Sequence, residues 1–503
     1  MTWDSERVVF QLAILGCPFS ESRPMSEPDI LSTCSRREFL QAGAGAAALS
    51  AAAYSRVLGA NDRVGVGFIG YGLIGKRHVL DFSAQPDVDN IAISDAHRGR
   101  LEEGQAQLGG KARAYADFRE LLEDRRVDAV VVSTPDHWHT LMTVLACAHE
   151  KDVYVEKPLS LFVREGRWMI DAAARYRRVV QVGVQQRSGR HYARARQAIR
   201  DGVIGRVMSV RMQSCRNVMP GFGSPPDGPP PPELDWNMLL GPAPMRAYNP
   251  NRAIYHFRWF WDYSGGQMTN LGQHALDIAH WILGGVPTAV TSVGGRYCLA
   301  DNGETPDTQD ALFEFPDQDL PPEHTADVPH PLPWTATWSH REASAGAKTS
   351  SSIEFYGTRG MLALNRGGFT VLGDMKVPPE NHVPQFTGAP PVGGVKRVTA
   401  ARSDELWTRP FKDDSGSESE QFTGHVRNFL DCVKSREPPV GDLASAHRVS
   451  TMCHLANLSL RLGRKLQWDG ARERIIDDEK AERLLVRPYR APWDSELAAA
   501  LRS

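Results

Sequence analysis

The stretch FIGYGLIGKRHV, residues Phe68–Val79, decides the fold, because three glycines follow a short apolar run with the spacing G-x-G-x-x-G. They are Gly70, Gly72 and Gly75. The preceding residues, RVGVGFIG, are typical of a buried parallel strand, and the following LIGKRHVLDFSAQ has apolar side chains at helical spacing. A strand, a glycine turn and a helix form the context in which this motif holds a dinucleotide pyrophosphate. The spacing alone also fits an ordinary glycine-rich turn.

An acidic residue follows the next apolar run, NIAIS. Asp95 lies twenty residues after Gly75, where a carboxylate at a strand end accepts hydrogen bonds from the adenosine ribose hydroxyls. This favours NAD. Arg98 stands close by and could neutralise a 2'-phosphate, so NADP stays open. On its own, Asp95 would be a solvated loop carboxylate; with the strand and helix it predicts dinucleotide binding.

The alternation of strands and helices continues through VDAVVVSTP, HTLMTVLACAHEK and DVYVEKPLS. This order predicts an α/β fold with a doubly wound parallel sheet, whose ligands gather at the carboxyl ends of the strands. The predicted cofactor-binding residues are Gly70, Gly72, Leu73, Ile74, Gly75, Asp95, Arg98, Ser133, Thr134, Pro135, His137, His139, Glu156, Lys157 and Gln185. The pair His137 and His139 does not complete a metal site, so we interpret both as lining the cofactor pocket and expect no metal.

Lys157 follows the strand DVYVE and is predicted to lie beside the nicotinamide. Burial disfavours an ammonium and lowers its pKa, which makes such a lysine useful for holding or relaying an alcohol proton. The alternative is a surface lysine after a strand.

The segment GGQMTNLGQHALDIAHWIL supplies a second set of polar residues. Asn270, His274, Asp277 and Trp281 have spacings that predict one shared helix face. Asp277, one turn from His274, could orient its ring and raise its basicity. A helix whose His and Asp only bond each other at a domain boundary is the alternative.

The aromatic segment YHFRWFWDYSGG is a candidate substrate platform, although an aromatic core is the default interpretation. The predicted substrate-binding residues are Lys157, Arg187, Arg258, Trp259, Tyr263 and His274, with Gln185 beside them.

The composition is that of an ordinary soluble protein, with 503 residues, 41% hydrophobic and 23% charged residues and a net charge of -2. This balance attracts neither nucleic acid nor an anionic membrane, so neither is an expected partner. Five cysteines follow residue 60 without a C-x-x-C spacing, and they demand neither disulfides nor zinc.

Residues 1–60 are predicted to form an N-terminal extension with an export signal. The sequence SRREFLQAGAGAAALSAAAYSRVLGA places Arg36 and Arg37 before a weakly hydrophobic run. It resembles a twin-arginine signal, which predicts a periplasmic protein; an ordinary N-terminal helix is the alternative. Because Gln41 and Arg56 interrupt the short run, no stable membrane insertion is expected.

Several segments together resemble the Gfo/Idh/MocA family, the group of glucose-fructose oxidoreductase and inositol dehydrogenase. They are GFIGYGLIGKRH, STPDHWHT, VYVEKPLS, QVGVQQRSG, DWNMLLGPAP, WFWDYSGGQMTNLGQHALDIAHW, IEFYGTRGML and NFLDCVKSREPP, in family order. The resemblance implies a Rossmann domain at 61–184, a substrate domain with a large, mostly antiparallel sheet at 185–470 and a tail at 471–503. One sheet face would hold substrate and the other would make a homodimer or homotetramer.

The family's catalytic lysine and histidine fall on Lys157 and His274. Many family members have an aspartate where this chain has Asn270, and Asp277 is expected to take over part of that role. The resemblance implies an NAD(P)-dependent oxidoreductase acting on a sugar, cyclitol or related polyol. Two alternatives stay open: a glycosidase or oxidoreductase that recycles a tightly bound cofactor, and a non-catalytic binding protein.

Overall fold

The computed structural model describes residues 63–319, 331–344, 352–374, 406 and 408–502. The predicted export signal lies outside these residues. The first sheet has six strands: β1 (Val64–Ile69), β2 (Val88–Ser94), β3 (Arg113–Tyr115), β4 (Ala129–Val132), β5 (Asp152–Glu156) and β6 (Val180–Gly183). The helices between them are α1 (Leu73–Ser83), α2 (Arg98–Gln107), α3 (Phe118–Glu123), α4 (Asp136–Ala148) and α5 (Val163–Arg175).

All pairs in this sheet are parallel, in the order β3-β2-β1-β4-β5-β6. The near-continuous apolar runs of β1, β4 and β5 are buried along their whole length, as expected for strands covered by helices on both faces. The order in which the chain adds strands reverses between β1 and β4, which is where such folds bind ligands. The predicted doubly wound fold is confirmed.

The second sheet has ten strands. They are β7 (Val207–Cys215), β8 (Ala289–Gly295), β9 (Thr308–Phe315), β10 (Trp334–Arg341), β11 (Ser352–Gly357), β12 (Gly360–Asn365), β13 (Gly368–Gly373), β14 (Phe411–Asp413), β15 (Leu466–Asp469) and β16 (Arg474–Ile475). Among the described strands of this sheet, only β7 and β10 pair in parallel, so the sheet is mostly antiparallel as predicted.

The remaining helices are α6 (Arg190–Arg200), α7 (Trp236–Leu240), α8 (Gln273–Leu283), α9 (Glu418–Ser435), α10 (Leu443–Leu462), α11 (Glu479–Glu482) and α12 (Trp493–Arg502). Helices α6, α8 and α10 cover one face of the second sheet, because the alternating apolar residues of the strands pack against their apolar stripes. One cavity lies at the carboxyl edge of the first sheet, and a second lies where α8 approaches that edge.

Two helices from the end of the chain pack on the first sheet and its helices. Val426 and Phe429 of α9 lie in the same core as Phe82 of α1. Residues after 470, predicted as a tail, include α12, whose Trp493 contacts Trp138 of α4 with ring centroids 4.9 Å apart. The half of the molecule built on the first sheet is therefore completed by residues distant in sequence.

Within the described residues, none of the helices combines the length and apolar character needed to cross a membrane. The same residues hold no group of three or more His, Cys, Asp or Glu side chains arranged to bind a metal ion.

Candidate active site

The glycine turn between β1 and α1 has little room for side chains. Gly70 has a φ of +92°, which L residues rarely adopt. A Cβ at Gly75 would lie 2.2 Å from the Gly70 carbonyl oxygen, so only glycine fits there. A Cβ at Gly72, in contrast, would approach nothing closer than Arg100 Nη1 at 3.7 Å. The space above Gly72 lets a ligand approach the backbone closely.

The N-terminus of α1 faces this space. Gly72 precedes the helix and offers no side-chain cap, so the first-turn N–H groups are available to an anion. A cavity of about 170 Å³ begins here. Eight of the predicted cofactor residues line it: Gly70, Gly72, Leu73, Ile74, Asp95, Ser133, Thr134 and Pro135. The buried Ser133 Oγ has no hydrogen-bond partner among the described residues, so it can bond a ligand.

Asp95 stands at the edge of the cavity. Its carboxylate accepts hydrogen bonds from the Tyr71 N–H (2.7 Å) and the His97 N–H (2.8 Å). These bonds fix the carboxylate but leave it lone pairs for ribose hydroxyls. Arg98 is exposed and does not line the cavity, whereas Arg100 does, which corrects the prediction. The prediction chose the wrong arginine because residues two apart, such as Arg98 and Arg100, lie on different sides of the first turn of α2.

His137 and His139 do not line the cavity, which corrects their prediction as cofactor residues. His137 Nε2 lies 3.0 Å from the Leu239 carbonyl oxygen, and burial lowers the pKa of His137 to about 3. The ring nitrogens of His139 lie 2.7 and 2.9 Å from the carbonyl oxygens of Pro158 and Thr134. The His137 ring thus contacts α7, and the His139 ring links the residues that follow β4 to those that follow β5.

A second cavity, of about 270 Å³, adjoins the first, and the two share lining residues Ile74, Thr134, Phe257 and Arg258. Lys157, Asn270 and His274 all line this second cavity, called here the catalytic cavity. The structure therefore brings these three predicted residues together, next to the cavity that fits a dinucleotide.

Lys157 is held by Asn270. Its Nζ donates to the Asn270 carbonyl oxygen at 2.8 Å and to Asn270 Oδ1 at 3.1 Å. Asn270 is itself positioned by the bond from its Nδ2 to Gln267 Oε1. Burial lowers the pKa of Lys157 to about 8, with Glu156 opposing this effect and Arg258 adding to it.

His274 lies near the start of α8. Burial, Lys157 and Arg366 lower its pKa well below the ordinary value, so the ring is neutral at physiological pH. No hydrogen bond joins this ring to another described residue. A neutral, partly exposed imidazole beside an ammonium can accept a proton from a substrate hydroxyl.

Glu156 and Gln185 form the floor under Lys157. Glu156 accepts bonds from Gln185 Nε2 (2.6 Å) and the Lys157 N–H (3.0 Å), and its Oε1 lies 2.7 Å from His78 Nε2. Although burial disfavours its charge, His78 and Lys157 hold the pKa of Glu156 below its ordinary value. Both predicted residues line the catalytic cavity.

Asp277 and Arg187 are not in the cavity, which corrects both predictions. They form a buried bidentate ion pair, with Arg187 Nη2 2.6 Å from Asp277 Oδ1 and Nε 2.9 Å from Oδ2. A π-helical turn, Met268–Gly272, precedes α8 and changes the helical phase, so Asn270 does not continue the predicted stripe. Trp281 packs under Arg196 instead.

Trp259 and Tyr263 are buried away from the catalytic cavity, so their prediction as substrate residues is also corrected. Tyr263 packs on His137 with ring centroids 5.2 Å apart, and Arg216 stacks on Trp259. They form the aromatic core that was the default interpretation. Arg258 does line both cavities.

Nine residues that line the catalytic cavity were not predicted: Asp136, Pro158, Gln186, Phe257, Ser264, Leu271, Arg366, Gln421 and Phe422. Arg366 lies in the turn between β12 and β13. In the sequence, Arg366 stands next to strand-like segments, and no local pattern indicates that this turn reaches the cavity. Gln186 directly follows the predicted residue Gln185, and its place in the family-like segment QVGVQQRSG could have indicated it as a site residue.

Residues 233–258, called here the strap, cover the first cavity, which begins at the glycine turn and is called here the dinucleotide cavity. The Glu233 carbonyl oxygen accepts from the Arg98 N–H at 2.8 Å, and the Asp235 N–H donates to the Ala96 carbonyl at 2.9 Å. Strap residues on the cavity wall are Met238, Leu239, Ile254, Tyr255, Phe257 and Arg258. Arg490 ties the strap from behind by donating to Asn237, Gly241 and Ala243.

Comparison with known families agrees with this arrangement. The profile described as "Oxidoreductase family, NAD-binding Rossmann fold" matches residues 64–184, and "Oxidoreductase family, C-terminal alpha/beta domain" matches residues 207–295 and 417–495. The chain belongs to the Gfo/Idh/MocA family of oxidoreductases. Membership confirms the resemblance seen in the sequence, and a Gfo/Idh/MocA Rossmann domain explains the glycine turn and the fixed Asp95.

Relatives of known name include sugar and cyclitol enzymes. Myo-inositol 2-dehydrogenase of Thermotoga maritima is 27% identical over 49% of this chain and 63% of its own length. The scyllo-inositol 2-dehydrogenase (NAD(+)) of Bacillus subtilis is 27% identical over 46% of this chain and 57% of its own length. The chain thus spans less than two thirds of these curated relatives.

Among solved structures, levoglucosan dehydrogenase in complex with NADH and levoglucosan has a TM-score of 0.58 at 17% identity, covering 80% of this chain and 99% of that one. At this identity the likeness shows the shared fold.

Proposed function

We propose that this protein is an NAD(P)-dependent dehydrogenase acting on a carbinol carbon of a sugar, cyclitol or related polyhydroxy compound. The observation that carries the proposal is the convergence of Lys157, Asn270 and His274 in a cavity continuous with the dinucleotide cavity. The names of the inositol dehydrogenase relatives support the substrate class.

The chain's own residues fit a dinucleotide. The glycine turn and the α1 N-terminus would hold the pyrophosphate, Asp95 the adenosine ribose, and Ser133 and Thr134 the nicotinamide side. When bound, the nicotinamide supplies the hydride acceptor. NAD is the favoured cofactor, because Asp95 places a carboxylate where NADP would present a 2'-phosphate. Comparing the dissociation constants of NAD and NADP tests that preference.

His274 and Lys157 divide the proton chemistry. The neutral His274 imidazole accepts the substrate hydroxyl proton, and the Lys157 ammonium donates a hydrogen bond to the oxygen that is losing it. Asn270 accepts two Lys157 N–H bonds and so directs the third toward the cavity.

The test is a panel of cyclitols and free sugars incubated with the protein and NAD or NADP, followed at the nicotinamide absorbance. Reduction of the cofactor by at least one polyol, abolished by His274→Ala, supports the proposal. Sugar binding without any oxidation, exchange or cleavage would instead indicate a binding protein.

A second candidate function keeps the dinucleotide bound and recycles it, as a glycosidase or an oxidoreductase without net cofactor turnover. The strap favours this function, because residues 233–258 line the dinucleotide cavity. The strap is held by backbone bonds to Ala96 and Arg98 and by the bonds from Arg490. A relative named Glycosyl hydrolase family 109 protein, from Shewanella, is 30% identical over 29% of this chain and 34% of its own length. Mass spectrometry of protein purified without added NAD tests for retained dinucleotide.

Export and assembly are further parts of the proposal. The Arg36-Arg37 pair supports periplasmic export, and replacing both by Lys in a fusion of residues 1–62 to a reporter should block it. Homo-oligomerisation is supported by exposed apolar residues on the outer face of the second sheet, namely Val293, Leu312 and Leu372. Light scattering of wild type and Leu312→Glu tests the assembly.

A further inference from the structure

A small recess of about 30 Å³ adjoins the catalytic cavity. Gln186, His274 and Arg366 line both spaces, so the recess opens beside the proposed base. Its inner wall comes from the second sheet and includes Trp338 of β10 and Ser352 of β11. A substrate held at His274 could therefore extend one of its groups into the recess.

Three polar atoms around the recess are buried without a hydrogen-bond partner among the described residues. They are Trp338 Nε1, Ser352 Oγ and Gln186 Oε1. Trp338 is 1% exposed and Gln186 8%, so bulk water does not satisfy these groups. Buried polar groups are almost always paired, and a cluster of unpaired ones next to a reaction site indicates a ligand that completes the bonds.

The charge of the recess is positive. Among the described residues lining it, Arg366 is the one permanently charged side chain and no carboxylate is present. Arg366 Nη1 donates to Glu418 Oε1 at 3.1 Å, while its Nε and Nη2 atoms have no described partner. Arg258, on the catalytic cavity wall, has no carboxylate partner among the residues that the structure describes. A guanidinium with free N–H groups matches a carboxylate in geometry and charge.

We propose that the substrate is a polyhydroxy carboxylate, such as a sugar acid, whose carboxylate occupies this recess. The proposal rests on the dehydrogenase function proposed above and names its substrate class. The carboxylate accepts hydrogen bonds from Arg366, the Ser352 hydroxyl and the Trp338 indole N–H, and a neighbouring substrate hydroxyl donates to Gln186 Oε1. A neutral hydroxymethyl group offers one oxygen and no charge, and it gives the Nε and Nη2 groups of Arg366 no anionic partner.

The same carboxylate would assist the base. Burial lowers the pKa of His274 most, and Lys157 and Arg366 lower it further by repelling an imidazolium. A bound anion beside Arg366 offsets this repulsion, so His274 becomes a better proton acceptor when an acidic substrate is present. Neutral polyols would lack this effect.

The experiment is isothermal calorimetry with NAD-loaded protein, in which D-glucuronate and D-galacturonate are compared with D-glucose and D-galactose. We expect the acids to bind at least about tenfold more tightly than their neutral parents. Arg366→Gln should abolish that preference, Arg366→Lys should retain part of it, and Ser352→Ala should weaken acid binding by about threefold to tenfold. Arg341→Gln, on the opposite face of the sheet, is the charge-matched control and should bind like wild type.

Equal affinity for acids and neutral sugars, no binding of either acid, or an equal loss for both classes in Arg366→Gln would overturn the recess assignment. Parallel measurement of NADH formation separates the two proposals. Arg366-dependent acid binding without NADH would refute the dehydrogenase and leave the recess assignment standing. NADH formed from neutral polyols without any preference for acids would refute the recess assignment and leave the dehydrogenase proposal standing.

Discussion

The Lys157 ammonium donates to both the backbone carbonyl and the side-chain Oδ1 of Asn270, at 2.8 and 3.1 Å. This contact joins the end of β5 to the π-helical turn before α8, and hence the first sheet to the substrate side. Because the amide is neutral, it orients the lysine but stabilises the ammonium less than a carboxylate would. The pKa of Lys157, about 8, follows mainly from its burial.

Asn270→Asp should move the alkaline limit of activity to higher pH. Lys157 acts as a protonated donor, so kcat/KM is present below its pKa of about 8 and is lost as the pH rises through it. A carboxylate at position 270 favours the ammonium and raises that pKa by about one to three units. The pH profile of kcat/KM checks this, with Asn270→Gln as the neutral control; an unmoved alkaline limb in the Asp variant would contradict it.

Lys157→Met and His274→Ala should each reduce kcat by about 10²-fold to 10⁴-fold, because each removes a group that handles the hydroxyl proton. Cofactor affinity, measured by NADH fluorescence, should change little. Lys111→Met, at an exposed lysine, is the control and should keep wild-type rates. If both active-site variants also kept wild-type rates, the assigned roles would be wrong.

Gly72→Ala and Gly75→Ala should separate ligand approach from backbone packing. At Gly75 the added methyl would collide with the Gly70 carbonyl, so stability and NAD binding should fall together. At Gly72 the φ of -79° suits alanine and the space is open, so thermal stability should hold while NAD affinity falls at least about tenfold. Thermal unfolding and NADH titration measure the two effects. An unchanged affinity in Gly72→Ala would place the pyrophosphate elsewhere.

Asp277→Asn should act on stability and not on chemistry. It leaves Arg187 buried without its bidentate partner, which typically lowers the free energy of unfolding by about 3–5 kcal/mol. Denaturant unfolding measures this, with Asp310→Asn, in a half-exposed pair with Arg341, expected to cost under about 1 kcal/mol. A kcat drop as large as that of His274→Ala in folded Asp277→Asn protein would restore Asp277 to the catalytic group.

The parts of the fold that could be predicted are those set by local pattern. Strand β1, the glycine turn and α1 follow directly from the apolar run, the glycine spacing and the helical stripe of residues 64–83. Lys157 was found because a residue directly after a parallel strand must lie at the carboxyl edge of the sheet.

The errors arise where geometry depends on distant contacts. Asp277 has the right spacing from His274, but the π-helical turn and the buried Arg187 decide which way it points. His137 and His139 lie in the first turn of α4, just after β4, yet their rings lie against the carbonyl oxygens of Leu239 and Pro158. Arg366 reaches the cavity only because the sheet brings a hairpin turn back to α8, which no local pattern encodes.

Arg490→Ala should speed the release of bound dinucleotide. The Arg490 guanidinium donates to Asn237 Oδ1 at 2.8 Å and to the carbonyl oxygens of Gly241 and Ala243, and so anchors the strap segment that carries Met238 and Leu239 on the cavity wall. Without it the strap loses several charge-assisted bonds, and local opening becomes more frequent.

The measurement is the rate of NADH release into excess competitor, followed by fluorescence, and we expect an increase of at least about tenfold over wild type. Arg502→Ala, at an exposed arginine of α12, is the matched control and should release NADH at the wild-type rate. An unchanged rate in Arg490→Ala would mean that the strap does not limit cofactor exchange. The function with a recycled cofactor would then lose its structural support, and the turnover of free NAD would be the simpler chemistry.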